Sequence, residues 1–327
     1  MMRLSFFFCT LLAASLLLAA CSSGIPPTTS PPLPASPSPD LPSPTKVLIP
    51  VPTPSRTPTI TPVQCDALSA DFCVEKGEFI LQRPIAPPGN DVIDRNYPYG
   101  STEGGTREVH HGVEFENASG TPVLAAAEGT VVYAGNDATR KFSPWANFYG
   151  NLVVIEHSFS SAPFSKLYTL YAHLSKIDVS TGQAVQSGEA IGEVGMTGTA
   201  AGSHLHFELR VTPDDYNSTL DPELWLIPRS GNGTLAILAA DSSGASVFPS
   251  FRIQYFPDRN KPASASYMAD GYARETVNPR DPWKEVAALG DQPAGWYRIT
   301  FQWNYVPYER WAEIQSGMLT RVAFVVR

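Results

Sequence analysis

The chain has 327 residues, enough for two ordinary domains with tails. Its formal net charge is -8, with 23 Lys and Arg against 31 Asp and Glu. This acidic balance excludes the basic surface of a nucleic-acid-binding protein, so we expect no nucleic-acid partner.

The first 21 residues have the pattern of an export signal. Arg3 precedes the apolar run LSFFFCTLLAASLLLAA, which is too short to span a bilayer and ends in small residues. The end of this run together with the next residue, LAAC (18–21), resembles the lipobox of bacterial lipoproteins, in which the cysteine is acylated and becomes the mature N-terminus. We therefore predict that residues 1–21 are a lipoprotein signal peptide, and that lipid on Cys21 anchors the protein to a membrane of the cell envelope, outside the cytoplasm. The alternative is an ordinary signal peptide that happens to contain a cysteine.

Residues 22–63 are rich in proline, serine and threonine. They contain 14 of the 31 prolines of the chain. Such a composition cannot bury a core, so we predict a disordered, extended linker that carries a folded domain away from the membrane.

Two cysteines remain beyond the signal, Cys65 and Cys73. Disulfides persist in exported proteins, so we predict that these two residues bond to each other. The alternative, a pair of metal-binding thiolates, lacks further Cys or His residues nearby.

The pattern of the rest of the chain predicts short β-strands. Runs such as NLVVIEH (151–157) and LYTLYAHL (167–174) lie between glycine-containing turns, and no amphipathic helix is evident. This spacing predicts an all-β protein with an antiparallel β domain over residues 64–228. After the break IPRSGNGT, residues 229–327 again read as strands and predict a small β-sandwich.

The histidines are concentrated in the first of these two domains. All six lie between residues 110 and 206, and two belong to the segment HLHFELR (204–210). Because side chains alternate along a strand, we expect four of its residues to share one face: His204, His206, Glu208 and Arg210. One histidine of HLH, one of HH (110–111) and one carboxylate would make the His₂Glu set of catalytic zinc sites. The alternative for HLH is a pair of solvent-facing histidines.

Three motif blocks resemble the lysostaphin/LytM-type zinc endopeptidases. They are HHGVEFENASGTPVLAAAEGTVVYAG, LYTLYAHL and GQAVQSGEAIGEVGMTGTAAGSHLHFELR, and the match covers residues 97–225. The resemblance implies an antiparallel β-sheet with a groove, a bound Zn²⁺ and hydrolysis of peptide bonds in bacterial peptidoglycan. Its partners would be stem peptides or cross-bridges of the cell wall.

The family pattern assigns roles to five positions of this chain. It implies that His110, position 114 and His206 bind the metal, and that His173 and His204 activate water and stabilise the oxyanion. His111 falls on a variable position, and His157 matches nothing and is expected to be structural or exposed.

Position 114 departs from the family, because this chain has Glu114 where the family has Asp. Glutamate is a zinc ligand by type, but it is one methylene longer. Two functions follow: a zinc endopeptidase, or a weak or inactive relative that binds peptidoglycan or activates another wall hydrolase.

Two further segments are open to interpretation. Upstream, Tyr97, Tyr99 and Arg107 could line the groove, although ordinary loop packing is an equal alternative. In the C-terminal domain, PAGWYRI and SGMLTRVAFVV resemble carboxypeptidase-regulatory-like sandwich domains, which usually have no catalysis of their own. Its aromatic residues could form a face that binds a sugar or an envelope protein, but filling of the sandwich core is the favoured alternative. They include Trp296, Trp303 and Trp311.

Overall fold

The computed structural model describes residues 65–138, 140–160, 163–273 and 284–327. The predicted signal peptide, Cys21 and the linker 22–63 lie outside these ranges. Within them, the only helix is the 3-10 helix Pro222–Leu224, so the all-β prediction is confirmed. Within the described residues, no helix is long and apolar enough to cross a membrane.

Short strands fill the first part of the described chain. In chain order they are β1 (Cys73–Glu75), β2 (Val113–Glu116), β3 (Pro122–Leu124), β4 (Gly129–Asn136), β5 (Asn151–Ser158), β6 (Lys166–Ala172), β7 (Lys176–Ile177), β8 (Ala184–Val185), β9 (Ala190–Glu193), β10 (His204–Arg210) and β11 (Thr219–Leu220).

Most of these strands form one antiparallel sheet in the order β11-β10-β6-β5-β4-β8, with β2 also paired to β10. A smaller sheet, β3-β9-β7, packs beside it. On β10, Leu205, Phe207 and Leu209 are fully buried in the core, as the alternation predicts. The opposite face of β10 is therefore free to present polar side chains.

The second part of the chain is a sandwich of two four-stranded sheets. Its strands are β12 (Asn232–Asp241), β13 (Ser250–Phe256), β14 (Ala265–Asp270), β15 (Ala287–Pro293), β16 (Gly295–Trp303), β17 (Val306–Ile314) and β18 (Leu319–Val326). One sheet has the order β1-β18-β12-β15 and the other β14-β13-β16-β17. A shared apolar core that includes Ile237, Phe251, Ile299 and Phe324 holds the two sheets together.

The N-terminal boundary predicted for the first domain is wrong. Strand β1 pairs with β18 of the sandwich, not with the seven-stranded sheet that contains β10. The sulfur atoms of Cys65 and Cys73 are bonded, and Arg321 of β18 contacts Glu75 through Nε at 2.5 Å and Nη2 at 2.9 Å. Residues 65–75 therefore belong to the sandwich, because β1 forms backbone hydrogen bonds with β18 and Glu75 forms an ion pair with Arg321.

Candidate metal centre and active site

The site lies where β2 and β10 run side by side. These strands are antiparallel, and their register places Glu114 directly opposite His206. Directly opposed residues of an antiparallel pair project to the same face, so the carboxylate and the imidazole are neighbours. His110 lies in the loop that enters β2, four residues before Glu114, and its ring turns back toward them.

Three ligand-type atoms converge at this point. Glu114 Oε1 lies 2.9 Å from His110 Nε2 and 3.0 Å from His206 Nδ1, and the two nitrogens are 3.3 Å apart. Both histidines are buried, and Glu114 is nearly so. The sequence-predicted ligand residues are thus brought together, with Glu114 reaching both imidazoles despite its extra methylene.

The triangle of these atoms fits a zinc ion. Zn–N and Zn–O bonds of 2.0–2.2 Å in a tetrahedron place ligand atoms about 3.3 Å apart. The observed edges of 2.9–3.3 Å are close to that value. Two imidazole nitrogens and a carboxylate oxygen also form one of the sets found at catalytic zinc sites, where the fourth position stays open.

His173 and His204 lie beside the triangle. Their ring centroids are 4.8 Å apart, and that of His173 is 5.7 Å from that of His206. Nδ1 of His173 donates to the Thr197 carbonyl at 2.8 Å, and Nδ1 of His204 donates to the Gly202 carbonyl at 2.9 Å. Main-chain carbonyls thus occupy Nδ1 of both rings, and Nε2 of His204 lies 3.0 Å from Glu114 Oε2.

His173 has an unusual backbone. Its φ is +62°, in the left-handed region that residues with a Cβ rarely adopt. Its N–H donates to the Tyr149 carbonyl at 2.9 Å. Such a conformation persists only where the surroundings hold it, and it is concentrated at functional positions.

A buried polar chain supports His206 from behind. Glu208 Oε1 accepts from His206 Nε2 at 2.9 Å and from the Tyr149 hydroxyl at 2.5 Å, and Glu208 Oε2 accepts from Arg210 Nε at 2.5 Å. Glu208 and Arg210 share the predicted face, but sequence reasoning gave them no role. Tyr149 was missed altogether, because nothing in NFYGN marks it.

Neighbouring charges and burial shift the pKa values of the residues in the site. Burial raises the pKa of Glu114, but His206, His110 and His204 outweigh it and hold that pKa well below its usual range. Burial likewise opposes the protonated form of His206, yet Glu114 and Glu208 raise its pKa to about 10. Burial, together with His206 and His204, lowers the pKa of His173 to about 3. His173 is therefore neutral at physiological pH, as a proton acceptor must be.

The two remaining histidines lie apart from the triangle. His111 is buried, with Nδ1 3.1 Å from Thr219 Oγ1 and its ring 3.9 Å from that of Tyr216. His157 is fully buried, and its Nδ1 donates to the Glu128 carbonyl at 2.7 Å. His157 is thus structural rather than exposed.

A cleft of about 620 Å³ opens over the histidines. Tyr97 lines it and stacks on His110 with centroids 4.3 Å apart and planes 12° apart. Arg107 lies 5.0 Å above the Tyr97 ring, and Phe148 and Tyr216 form part of the cleft wall. Tyr99 does not line the cleft, since it is buried with its hydroxyl 3.1 Å from Thr219 Oγ1.

His110, Glu114 and His206 thus lie close enough together to hold one metal ion, in a cleft of an all-β domain. Residues 108–222 match the model of peptidase family M23. The resemblance to lysostaphin/LytM-type peptidases is thereby confirmed for this domain. The resemblance suggested for the C-terminal sandwich stays a prediction.

Three curated relatives match the same domain. The chain is 37% identical over 127 residues to the cell division protein DipM of Caulobacter vibrioides, covering 38% of this chain and 18% of DipM. It is 42% identical over 102 residues to the peptidoglycan DD-endopeptidase ShyA of Vibrio cholerae, covering 31% of this chain and 20% of ShyA. It is 35% identical over 133 residues to the lipoprotein YgeR of Escherichia coli, covering 40% of this chain and 43% of YgeR.

The matched stretch is a small part of these proteins. It spans about a fifth of the length of DipM and of ShyA. Among solved structures, the catalytic domain of lysostaphin from Staphylococcus simulans is 33% identical, with a TM-score of 0.30, covering 38% of this chain and 82% of that domain.

Proposed function

We propose that the chain is a zinc-dependent endopeptidase that cuts peptide bonds in bacterial peptidoglycan. The observation that carries the proposal is the convergence of His110 Nε2, Glu114 Oε1 and His206 Nδ1 within 2.9–3.3 Å of one another. Its substrate class is supported by the relative ShyA, which is named a peptidoglycan DD-endopeptidase.

The chemistry follows from the residues around the triangle. Zinc held by the three side chains would act as a Lewis acid toward the scissile carbonyl and the attacking water. His173 and His204 lie beside the triangle with ring centroids 4.8 Å apart, and we propose that they share two tasks. One is to move a proton from water to the leaving amine, and the other is to stabilise the oxyanion.

A second candidate function rests on Glu114. The family has Asp at this position, and one added methylene moves a carboxylate by about 1.5 Å. In this alternative, the domain keeps its cleft, binds peptidoglycan or activates another wall hydrolase, and does not turn over. The close approach of Glu114 to both imidazoles favours the enzyme.

Zinc content and muropeptide release distinguish the candidates. We expect the purified chain to contain stoichiometric zinc by mass spectrometry and to release muropeptides from isolated sacculi. His204→Ala should keep the zinc and lose release by about 10²- to 10⁴-fold. Glu114→Gln should lose both, while Glu128→Gln, an exposed carboxylate outside the site, should lose neither.

Two other results for the parent protein would decide against the enzyme. Zinc without release in the parent protein supports the binding or activating alternative. A parent protein with neither zinc nor release contradicts the enzyme proposal.

We also propose that lipid on Cys21 tethers the chain to the envelope and that residues 22–63 act as a stalk. The lipobox pattern supports the anchor, and the relative YgeR is named a lipoprotein. Cys21→Ser should move the protein from the membrane fraction to the soluble fraction, whereas Cys9→Ser, which precedes the cleavage site, should leave it in the membrane. Equal membrane fractions for Cys21→Ser and the parent would contradict the anchor.

A further inference from the structure

A segment of the sandwich, residues 271–273, contacts the loop that leads to His110. The N–H of Ala273 donates to the Gly100 carbonyl at 2.7 Å, and the N–H of Gly100 donates to the His110 carbonyl at 2.8 Å. The N–H of His110 in turn donates to the Ser101 carbonyl at 2.9 Å. Two hydrogen bonds through Gly100 therefore connect the sandwich to the main chain of a proposed metal ligand.

Side-chain packing reinforces this connection. Gly100 has a φ of +74°, and a Cβ placed there would lie 2.6 Å from Tyr272 Cδ1. Only glycine allows the Tyr272 ring to approach so closely. The same ring meets Tyr99 edge-on with centroids 5.4 Å apart, and its hydroxyl donates to Asp221 Oδ2 at 2.8 Å.

The sandwich holds the 271–273 segment in place. The N–H of Gly271 donates to the Pro249 carbonyl at 2.9 Å, and that of Tyr272 to the Val286 carbonyl at 2.8 Å. Pro249 and Val286 directly precede β13 and β15. The segment is therefore anchored to both sheets of the sandwich.

A second connection fixes the two halves of the chain nearby. Glu223, in the 3-10 helix that follows the peptidase sheet, accepts from the Gly290 N–H of β15 at 2.5 Å. Arg95 donates to both oxygens of Glu223, at 2.6 and 2.7 Å, and to the Gly290 carbonyl at 2.7 Å. Glu223 is buried, whereas the Arg95 side chain is partly exposed.

We propose that the C-terminal sandwich is a positioning element of the metal site. Its segment 271–273 positions Gly100, and Gly100 in turn positions the main chain of His110. The ring of Tyr97, from the same loop, then stacks on the His110 ring. The consequence for zinc rests on the proposed function, whereas the consequence for the order of the loop does not.

Two glycines of this loop provide a matched test. Gly100→Ala places a methyl group against Tyr272, whereas Gly104→Ala, at a φ of +68°, places one in open space. Both variants carry the strain of a left-handed backbone, so their difference isolates the contact with the sandwich. In the full chain, Gly100→Ala should lower zinc affinity by about 10- to 100-fold relative to Gly104→Ala, measured by chelator competition.

Hydrogen exchange tests the contact without zinc. In the metal-free chain, the peptide covering 108–116 should exchange about tenfold faster in Gly100→Ala than in Gly104→Ala. Equal exchange in the two variants overturns the inference, whatever the zinc result. A parent protein that binds no zinc contradicts the proposed function instead.

A second pair covers the case in which Gly100→Ala does not fold. Tyr272→Leu removes the ring that contacts Gly100, and Phe251→Leu removes a buried ring elsewhere in the sandwich. Tyr272→Leu should speed exchange of 108–116, while Phe251→Leu and the conservative Tyr272→Phe should not. An equal effect of Tyr272→Leu and Phe251→Leu would show general destabilisation and overturn the inference.

Discussion

His206 Nε2 lies 2.9 Å from Glu208 Oε1, and Glu208 is completely shielded from solvent. The carboxylate accepts a hydrogen bond from the Nε2–H of His206, so Nδ1 is the ring nitrogen that faces the triangle. Arg210 Nε donates a hydrogen bond to Oε2 of the same carboxylate, and the Tyr149 hydroxyl donates one to Oε1. Glu208 therefore determines which nitrogen of His206 faces the proposed metal site.

Neutralising Glu208 should weaken metal binding. We expect Glu208→Gln to lower zinc affinity by about 10- to 100-fold, because the orientation of His206 is no longer enforced. The free energy of unfolding should also fall, by about 3–5 kcal/mol, since Arg210 is left buried without its partner. Chelator competition and urea unfolding measure the two effects.

The control for this prediction is Glu156→Gln. Glu156 pairs with Lys166 at 2.7 Å on an exposed surface of the neighbouring strands β5 and β6, away from the triangle. The zinc affinity of the Glu156→Gln protein should equal that of the parent. A Glu208→Gln protein with parental affinity would refute the orienting role.

Shortening the ligand at position 114 should also weaken binding. Glu114→Asp retracts the carboxylate by about 1.5 Å, whereas ligand sets tolerate displacements of about 0.5 Å. We expect zinc affinity to fall about tenfold or more, measured by chelator competition. An equal or higher affinity for Glu114→Asp would mean that the backbone of this site is built for the shorter residue.

The main elements of the site could be predicted from the sequence because they depend on local spacing. Alternation along HLHFELR placed His206 and Glu208 on one face, and the four-residue step from His110 to Glu114 matched a family pattern. The support from Tyr149 could not be predicted, since it lies 59 residues from Glu208 in the chain. The contact between Ala273 and Gly100 likewise joins segments from different halves.

Acid should destabilise the protein through its buried histidines. Burial lowers the pKa of His157 from 6.5, although the hydrogen bond to the Glu128 carbonyl opposes the shift. The unfolded chain then binds the proton first, so the stabilisation is complete above about pH 6.5 and is lost as the pH falls below it. His111, whose pKa burial lowers to about 4, acts in the same direction.

Urea unfolding between about pH 7 and about pH 5 measures this loss. In His157→Gln the slope should be shallower than in the parent, by at most about 1.4 kcal/mol per pH unit for one proton. Equal slopes in the two proteins would show that His157 does not titrate in this range.

Opening the disulfide should destabilise the sandwich and spare the metal site. Cys65 and Cys73 are eight positions apart, and closing so short a loop stabilises a fold by about 2–3 kcal/mol. The double variant Cys65→Ser, Cys73→Ser should lose that free energy of unfolding and keep parental zinc affinity. An unchanged unfolding midpoint, or lost zinc affinity, would contradict this division.

The pairing of β1 with β18 could not be read from the sequence, because three residues beside a disulfide carry no signal of their partner strand. Proximity in sequence placed residues 65–75 with the peptidase domain that follows them. The ladder with β18 and the ion pair between Glu75 and Arg321 instead join them to residues about 250 positions later.

This pairing determines where a mechanical load enters the protein. The N-terminal end of the described chain runs from Cys65 into β1, which lies at the edge of a sandwich sheet. Tension along that end acts first on the Cys65–Cys73 loop and on the ladder between β1 and β18. The disulfide closes the loop against extension, so the force is borne by the sandwich before it reaches β2, β10 and the histidines between them.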